Sequence, residues 1–515
     1  MDAKLDTKIF YRFYIVFLIS FFYFATCFAG NKDEIKIALN ADPETINILE
    51  YKTSRVLTPI IDAIHQRVLG EPDLKTGMRK LELAESVKVM ENKKDVLLKL
   101  KKGVKFHTGD PLTVHDVKFT IEQCQDPRNA NTFAGTLDEI ESMEIVDDYT
   151  LLFHFYEPFA PWQEVMRIGI ASKKYYEKVG RKIFRKNPVG SGPFCFVKRR
   201  IGEYIILEGV KNHPDYNGEF KRIKLMIIAD PVTRVNMLKT GEVDMIYEIL
   251  PHQIKELKKY NKLSIKSAVI PSLYYLSIKP SLFPVIKDKN VRKAITHAIN
   301  RQEIIDKIYQ KQGYPLYTWA NKGELGYDPK IIIEYNPQKA RNLLKKSSYK
   351  PGTTIYITYT SAMPNSSIVA LMIQHYLKNI GMTVKLQQIE YGAYLTYARD
   401  GDKRAGHMAL SVFTTEIDPQ VRLMMSMISD AAYCYYKDRP SQKKMDDLIL
   451  AQAGETDPQK RLKILAEIHQ INYDDPGNIT LYGLNLIYAM NNRINYSWKE
   501  GSPYLRDLYR IKLNK

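Results

Sequence analysis

Between Arg222 and Tyr247 a strand-like run, a helix and a second strand-like run follow one another with almost nothing between them. Arg222 to Ile228 reads as the first strand. Asp230-Pro231 opens a helix that ends near Gly241, and Val243 to Tyr247 reads as a strand again. Aspartate before proline is a helix start, because the carboxylate satisfies free amides of the first turn and proline there needs no partner for its missing N–H. Strand, helix, strand in that order predicts an α/β lobe.

The alternation recurs further on. Leu273 to Ile278 is a strand, Val291 to Ile299 a helix, and Arg301 to Tyr309 either continues it or starts another. Thr353 to Tyr359, Ser366 to Ile380 and Met382 to Ile389 then read as strand, helix and strand. Amphipathic helices are expected over Gln442 to Ala453 and, behind Thr456-Asp457-Pro458, over Pro458 to Asn472. Ile479 to Tyr482 and Leu486 to Met490 read as two short apolar strands. Before Arg222, Glu34 to Asn40 reads as a strand and Thr53 to Leu69 has helical spacing. Leu81 to Met90 and Val96 to Lys101 are strand-like, Thr113 with Asp116 marks a helix start, and a hairpin is expected to turn at Asp147-Asp148-Tyr149. A chain of 515 residues exceeds one compact domain, so two or three lobes are expected.

The first residues differ from the rest. Lys4, Lys8 and Arg12 lead into an apolar run from Phe13 to Phe24, followed by Ala25-Thr26-Cys27-Phe28-Ala29-Gly30. Charged, apolar, then small is the order of a secretory signal peptide, and cleavage is expected after Ala29, leaving a periplasmic protein. Lipidation at Cys27 is the second reading, against which the Phe-Ala-Thr triplet before it argues. Export implies an oxidising compartment. Cys124, Cys195 and Cys434 follow the leader, so at most one internal disulfide is expected.

The formal charge is +18. Basic residues are scattered, with Lys99, Lys101, Lys102 and Lys105 the densest run, and no nucleic-acid fingerprint accompanies them. A solvated basic surface is expected, with no nucleic-acid partner. No GxSxG, HExxH, P-loop or complete GxGxxG occurs. Gly190-Ser191-Gly192 begins like a dinucleotide loop, but Pro193 follows at once and Cys195 stands where a third glycine belongs. No catalytic residue, metal site or cofactor is expected. The two glycines are read as permitting backbone conformations that other residues resist.

Several runs carry a resemblance. They are Leu83-Ala84-Glu85-Ser86, Leu98 through Thr113 (LKLKKGVKFHTGDPLT), Asp116-Val117-Lys118-Phe119, and Asn187 through Phe194 (NPVGSGPF). Asp230 to Arg234 with Leu238 to Asp244, and Asn290 to Ile295 with Ala298 to Arg301, follow in order. Together they resemble the family 5 extracellular solute-binding proteins, the oligopeptide, dipeptide and nickel receptors of ABC importers. The resemblance implies an α/β fold: a two-lobed periplasmic-binding-protein clamshell (type II) with an additional inserted domain. Residues 1–29 would be the leader, 30–65 with 180–272 and 476–515 lobe one, 66–179 the inserted domain, and 273–475 lobe two. A monomer would close about a hinge on a peptide or peptide-like solute and deliver it to the permease. A nonpeptide ligand, or a role as exported chaperone or sensory partner, is the alternative.

The same resemblance locates the ligand anchors. Dipeptide receptors of the family hold the ligand's ammonium with an aspartate in a "W..D...P" segment. Aligned on Pro419, the tryptophan position falls at Val412 and the aspartate position at Thr415, with Glu416 one residue off and Asp418 beside the proline. Their carboxylate-binding arginine aligns with Thr360, in Tyr359-Thr360-Ser361-Ala362-Met363-Pro364, where no basic residue stands nearby. Both charged anchors of a dipeptide are therefore missing. The expected cleft is aromatic instead: Tyr274, Tyr391, Tyr394, Tyr433, Cys434 and Tyr435 join Tyr359, Thr360, Met363, Thr415, Glu416 and Asp418 as candidate contacts. Tyrosine offers contact area with a polar tip, which suits an amphipathic ligand.

Overall fold

The helix Pro231–Thr240 starts and stops where its end residues require. Asp230 accepts a hydrogen bond from the Thr233 amide at 2.7 Å, and Gly241 leaves the helix at φ 80°. The flanking strands, Arg222–Ile227 and Met245–Tyr247, both pair in parallel with Glu34–Leu39, which lies between them. Ile35, Ile37 and Leu39 bury against Phe194, Ile205 and Leu225 on one face, while Ala38 buries against Val235 and Leu238 on the other. A strand covered on both faces and paired on both edges is the centre of an α/β lobe.

The computed structural model describes residues 33–52, 54–73, 78–361, 363–399, 402–414, 418–431, 433–434 and 436–514. The leader and Cys27 lie outside the described residues. Among the described residues no helix is long and apolar enough to cross a membrane.

One large sheet runs from Thr383–Gln388 through Thr354–Tyr359, Met408–Thr414 and Ser272–Ile278 to Asn478–Asn491, then through Met245–Tyr247, Glu34–Leu39, Arg222–Ile227 and Tyr204–Gly209 to Phe194–Arg200. Asn478–Asn491 is common to both halves. Two short strands are expected there, yet Gly483-Leu484-Asn485 stays extended and one strand of 14 residues results. Its first part pairs with Ser272–Ile278 and its second with Leu263–Val269, a strand the apolar pattern does not reveal. Two antiparallel chain segments therefore cross together from one half to the other. On the Ser272 side, apolar residues of Lys289–Ala298, Arg301–Ile308 and Ser366–Asn379 pack on Leu276, Ile278, Ile355 and Ile357.

A separate antiparallel sheet has the order Ala84–Val89, Asp95–Leu100, Thr150–Phe155, Ile140–Asp147. The helices Val114–Gln125 and Lys173–Phe184 supply Val117, Ile121 and Phe184 to the core that contains Leu98, Phe153 and Phe155. Thr113 starts the first of these helices, its amide donating to the Asp116 carboxylate at 3.0 Å. The helix expected over Thr53 to Leu69 is confined to Thr58–Ile64, and Leu69 already belongs to the strand Leu69–Pro72.

Gly190 and Gly192 are glycines for a different reason than the one expected. Neither has a positive φ. A Cβ on Gly190 would lie 2.0 Å from the Ile64 carbonyl oxygen, and one on Gly192 would lie 2.5 Å from that of Ala63. Close passage of two backbones, fixed by Gly192 N donating to Ile64 O at 2.8 Å, requires them. The strand Phe194–Arg200 follows directly, so no phosphate-binding helix N-terminus forms here.

Candidate ligand cleft

The two halves of the sheet meet beside Tyr274. Cross-strand pairing sets Tyr274 opposite Val412 on one side and Tyr482 on the other. Its ring stacks on Tyr482 with centroids 4.9 Å apart, Tyr482 meets Tyr309 at 5.2 Å, and the last two hydroxyls are 3.1 Å apart. Tyr359 packs partly buried on the same side of the sheet, and Met363 is buried there. Thr360 is buried as well, its carbonyl accepting from Ser366 Oγ at 2.6 Å and from Met363 N at 3.3 Å. Tyr359 keeps its hydroxyl at the surface, donating to Gln388 Oε1 at 3.4 Å, while Thr360 and Met363 shape the wall behind it.

The other tyrosines stand on the opposite face. Tyr394, on the helix Tyr391–Arg399, buries its ring against Ile389 and Ala409 and shares a hydrogen bond with Ser411. Tyr391 is exposed, 6.5 Å from it between ring centroids, and Tyr433 packs partly buried in the same cluster. Two candidates serve other contacts. Asp418 is gripped by both ends of the Arg461 guanidinium at 2.6 and 2.9 Å. Burial raises its pKa, but Arg461 carries it below the usual carboxylate range. The Cys434 thiol is buried 3.7 Å from the Met427 carbonyl, and burial pushes its pKa up. Cys124, Cys195 and Cys434 are all free thiols. Thr415, Glu416 and Tyr435 lie outside the described residues.

Across the junction stands a charged group that the sequence reading missed. Arg55 Nη1 donates to Glu248 Oε1, and Asn40 Nδ2 donates to Glu248 Oε2. Glu248 follows the strand Met245–Tyr247 directly and has φ 58°, a left-handed conformation that costs an ordinary residue on the order of 1–2 kcal/mol. Tyr247 anchors Arg55 from behind, its hydroxyl donating to the Arg55 carbonyl at 2.9 Å. Burial raises the pKa of the Tyr274 phenol, and Arg55 across the junction lowers it in part. Arg55 and Glu248 fall in no motif, and the strain at Glu248 has no signature in sequence.

A contact between the separate four-stranded sheet's domain and the segment around Ala453 lies away from this cluster. The Ala160 amide, next to the four-stranded sheet, donates to the Ala453 carbonyl at 2.6 Å. Beside it is a cavity of about 280 Å³ bounded by Trp162, Met78, Leu325, Pro458 and the Asp418–Arg461 pair. Among the described residues no group of three His, Cys, Asp or Glu side chains is placed to hold a metal ion.

Known proteins share this architecture. Residues 80–429, more than half of the chain, match the family described as "Bacterial extracellular solute-binding proteins, family 5 Middle", and the chain belongs to that family. Its class is therefore the extracytoplasmic solute-binding protein, with the fold of type II periplasmic binding proteins. The chain is 27% identical over 502 residues to the oligopeptide-binding protein AppA of Bacillus subtilis, covering 92% of this chain and 89% of that one. It is 26% identical over 487 residues to a probable D,D-dipeptide-binding periplasmic protein, DdpA, of Escherichia coli, covering 90% and 91%. The crystal structure of the ABC transporter substrate-binding protein CtaP from Listeria monocytogenes superposes with a TM-score of 0.85 at 25% identity, covering 94% of this chain and 99% of that one.

Proposed function

We propose that this protein captures a peptide or peptide-like solute between its lobes and delivers it to the permease of an ABC importer, without making or breaking a bond. The observation that carries this reading is the pair of strands crossing from one half of the sheet to the other beside Tyr274 and Arg55. A junction of two antiparallel segments lets the halves rotate while each keeps its own core, and a ligand that touches both halves favours the closed arrangement. The peptide class is supported by the relatives' names and by the aromatic wall that Tyr274, Tyr309 and Tyr482 form, against which a peptide's side chains could pack.

The division follows the same logic. Residues 30–65, 180–272 and 476–515 form lobe one, 66–179 the inserted domain and 273–475 lobe two. Residues 1–29 direct export and are removed after Ala29 in preference to lipidation at Cys27, and the mature protein is monomeric. Candidate contacts from lobe two are Tyr274 and Tyr359, which share one face of the sheet.

Thermal unfolding tests the function. Protein purified from the periplasmic fraction after expression of the full chain is heated with dipeptides, tripeptides, pentapeptides, nickel chelates and small anionic metabolites. A ligand at about 100 times its dissociation constant adds about 2.7 kcal/mol, a clear rise in Tm. A rise with tri- and pentapeptides is expected. A rise with none of the peptides removes the peptide reading.

A further inference from the structure

We infer that Arg55, braced by Glu248 and faced by the Tyr274 hydroxyl from the other lobe, receives the solute's carboxylate. This rests on the reading of the junction as a peptide cleft and names the chemistry that would replace the missing arginine at Thr360.

Three observations lead here. The first is hydrogen-bonding capacity. Both Glu248 oxygens are engaged, by Arg55 and Asn40, which fixes the carboxylate against the guanidinium. A guanidinium carries five N–H donors, and among the described residues the only acid engaging Arg55 is Glu248, through Nη1. Its side chain keeps 32% of its exposure. Among the described residues the Tyr274 hydroxyl has no hydrogen-bond partner and is free to donate.

The second is charge. Arg234 lies within electrostatic reach of Glu248 and is fixed by two carbonyls, Ile228 O and Ala229 O, each at 2.8 Å. Asp230 also acts on Arg234, so that arginine has a carboxylate of its own and Glu248 is left chiefly to Arg55. A ligand carboxylate would meet the N–H groups of Arg55 that Glu248 leaves unused. A planar guanidinium also matches a carboxylate in two parallel bonds.

The third is strain. Glu248 holds its left-handed backbone directly after the interior strand Met245–Tyr247, where its carboxylate meets Arg55. Strain kept by a non-glycine residue at a cleft marks a position fixed for binding. The two donors also come from different lobes, so a carboxylate held by both joins the halves and draws them closed.

The test uses tri-alanine and penta-alanine as free acids and as C-terminal amides, titrated calorimetrically into the periplasmic protein. The expected result is that the amides bind about 10-fold or more weakly. Arg55→Gln should weaken the acids to the level of the amides. Because Arg55→Gln leaves Glu248 without its partner, the double variant Arg55→Gln/Glu248→Gln is measured beside it, and it too should lose the acid-over-amide preference. Equal binding of acids and amides by the unaltered protein, or a preference that survives in the double variant, overturns the inference and leaves the peptide reading standing. Failure of every alanine peptide to bind the unaltered protein overturns both.

Discussion

Gly483 passes directly beneath the phenol ring of Tyr314: a Cβ at residue 483 would fall 2.3 Å from Tyr314 Cζ and 2.5 Å from its oxygen. The ring is held by its own hydrogen bond, Tyr314 Oη donating to the Ile270 carbonyl at 3.2 Å. Gly483 and Ile270 belong to the two segments that cross between the halves of the sheet, so one tyrosine rests on both. Gly483→Ala should displace the ring and destabilise the protein by about 1–3 kcal/mol, the usual cost of overpacking. Removing the ring as well, in Gly483→Ala/Tyr314→Ala, should cost less than the two single changes summed, because the clash disappears with the ring. Urea unfolding of the three variants measures this, and strict additivity would show that the contact carries no strain.

Asp418 is held by Arg461 in a two-pronged, largely buried pair, and this contact decides its role. Asp418→Asn keeps the shape but removes the charge that Arg461 needs, and breaking such a pair costs about 3–5 kcal/mol. A large drop in Tm with unchanged peptide affinity in the surviving folded protein is expected. If affinity falls by the same proportion while Tm holds, Asp418 is a ligand contact.

Much of the architecture is legible because helix ends and strand periodicity are local chemistry. Asp230 and Gly241 bound one helix, Asp457 caps another by accepting from Gln459 N at 2.8 Å, and Thr113 with Asp116 starts a third. The crossing strand is not legible, because Gly483 looks like a break until Tyr314, far away in sequence, is seen above it. The glycines of the NPVGSGPF run are legible as structural, but the reason is proximity to Ile64, a relation only the fold supplies. For the site, the aromatic residues Tyr274 and Tyr359 are found from the motif alignment. Their separation from Tyr391, Tyr394 and Tyr433 follows from strand alternation around Tyr275 and Ser411, which sends neighbours to opposite faces. Arg55 and Glu248 escape because their pairing depends on the backbone conformation at residue 248 and on two segments 193 positions apart.

Arg422 and Glu324 are both fully buried, and their ion pair joins the helix Gln420–Ser426 to the loop after Trp319, whose carbonyl accepts from Arg422 Nη1 at 2.6 Å. Glu324 also accepts from Asn321 N at 2.7 Å and from Asn321 Nδ2 at 3.0 Å. Arg422→Met would leave a carboxylate in the core, with an expected loss of about 3–5 kcal/mol. Arg422→Met/Glu324→Leu removes both charges and should recover a substantial part, since a buried pair replaced by apolar groups is often close to neutral. Chemical denaturation of both variants gives the comparison, and a double variant no more stable than the single one would contradict it.

Acid should weaken the fold through buried histidines. His65, with Nδ1 3.0 Å from the Ile170 carbonyl, and His469, whose Nδ1 accepts from Trp319 N at 3.3 Å, are each lowered by burial to a pKa of about 4. The ordinary value is about 6.5, which the unfolded chain retains. Above that pH both states hold the rings neutral and the full stability is present. As pH falls below it, the unfolded state binds protons that the folded state refuses, so stability declines until the folded rings themselves titrate near pH 4. At about 1.4 kcal/mol per pH unit, the loss approaches about 3 kcal/mol for each histidine across that window. Urea unfolding from pH 8 to 4.5 should show this decline, and His65→Asn should be measurably flatter than the unaltered protein over the same range. Comparing the two slopes isolates His65, because the carboxylates titrating in that window are common to both proteins. Identical slopes would mean that His65 is protonated equally easily in both states, and that the Ile170 carbonyl compensates for its burial.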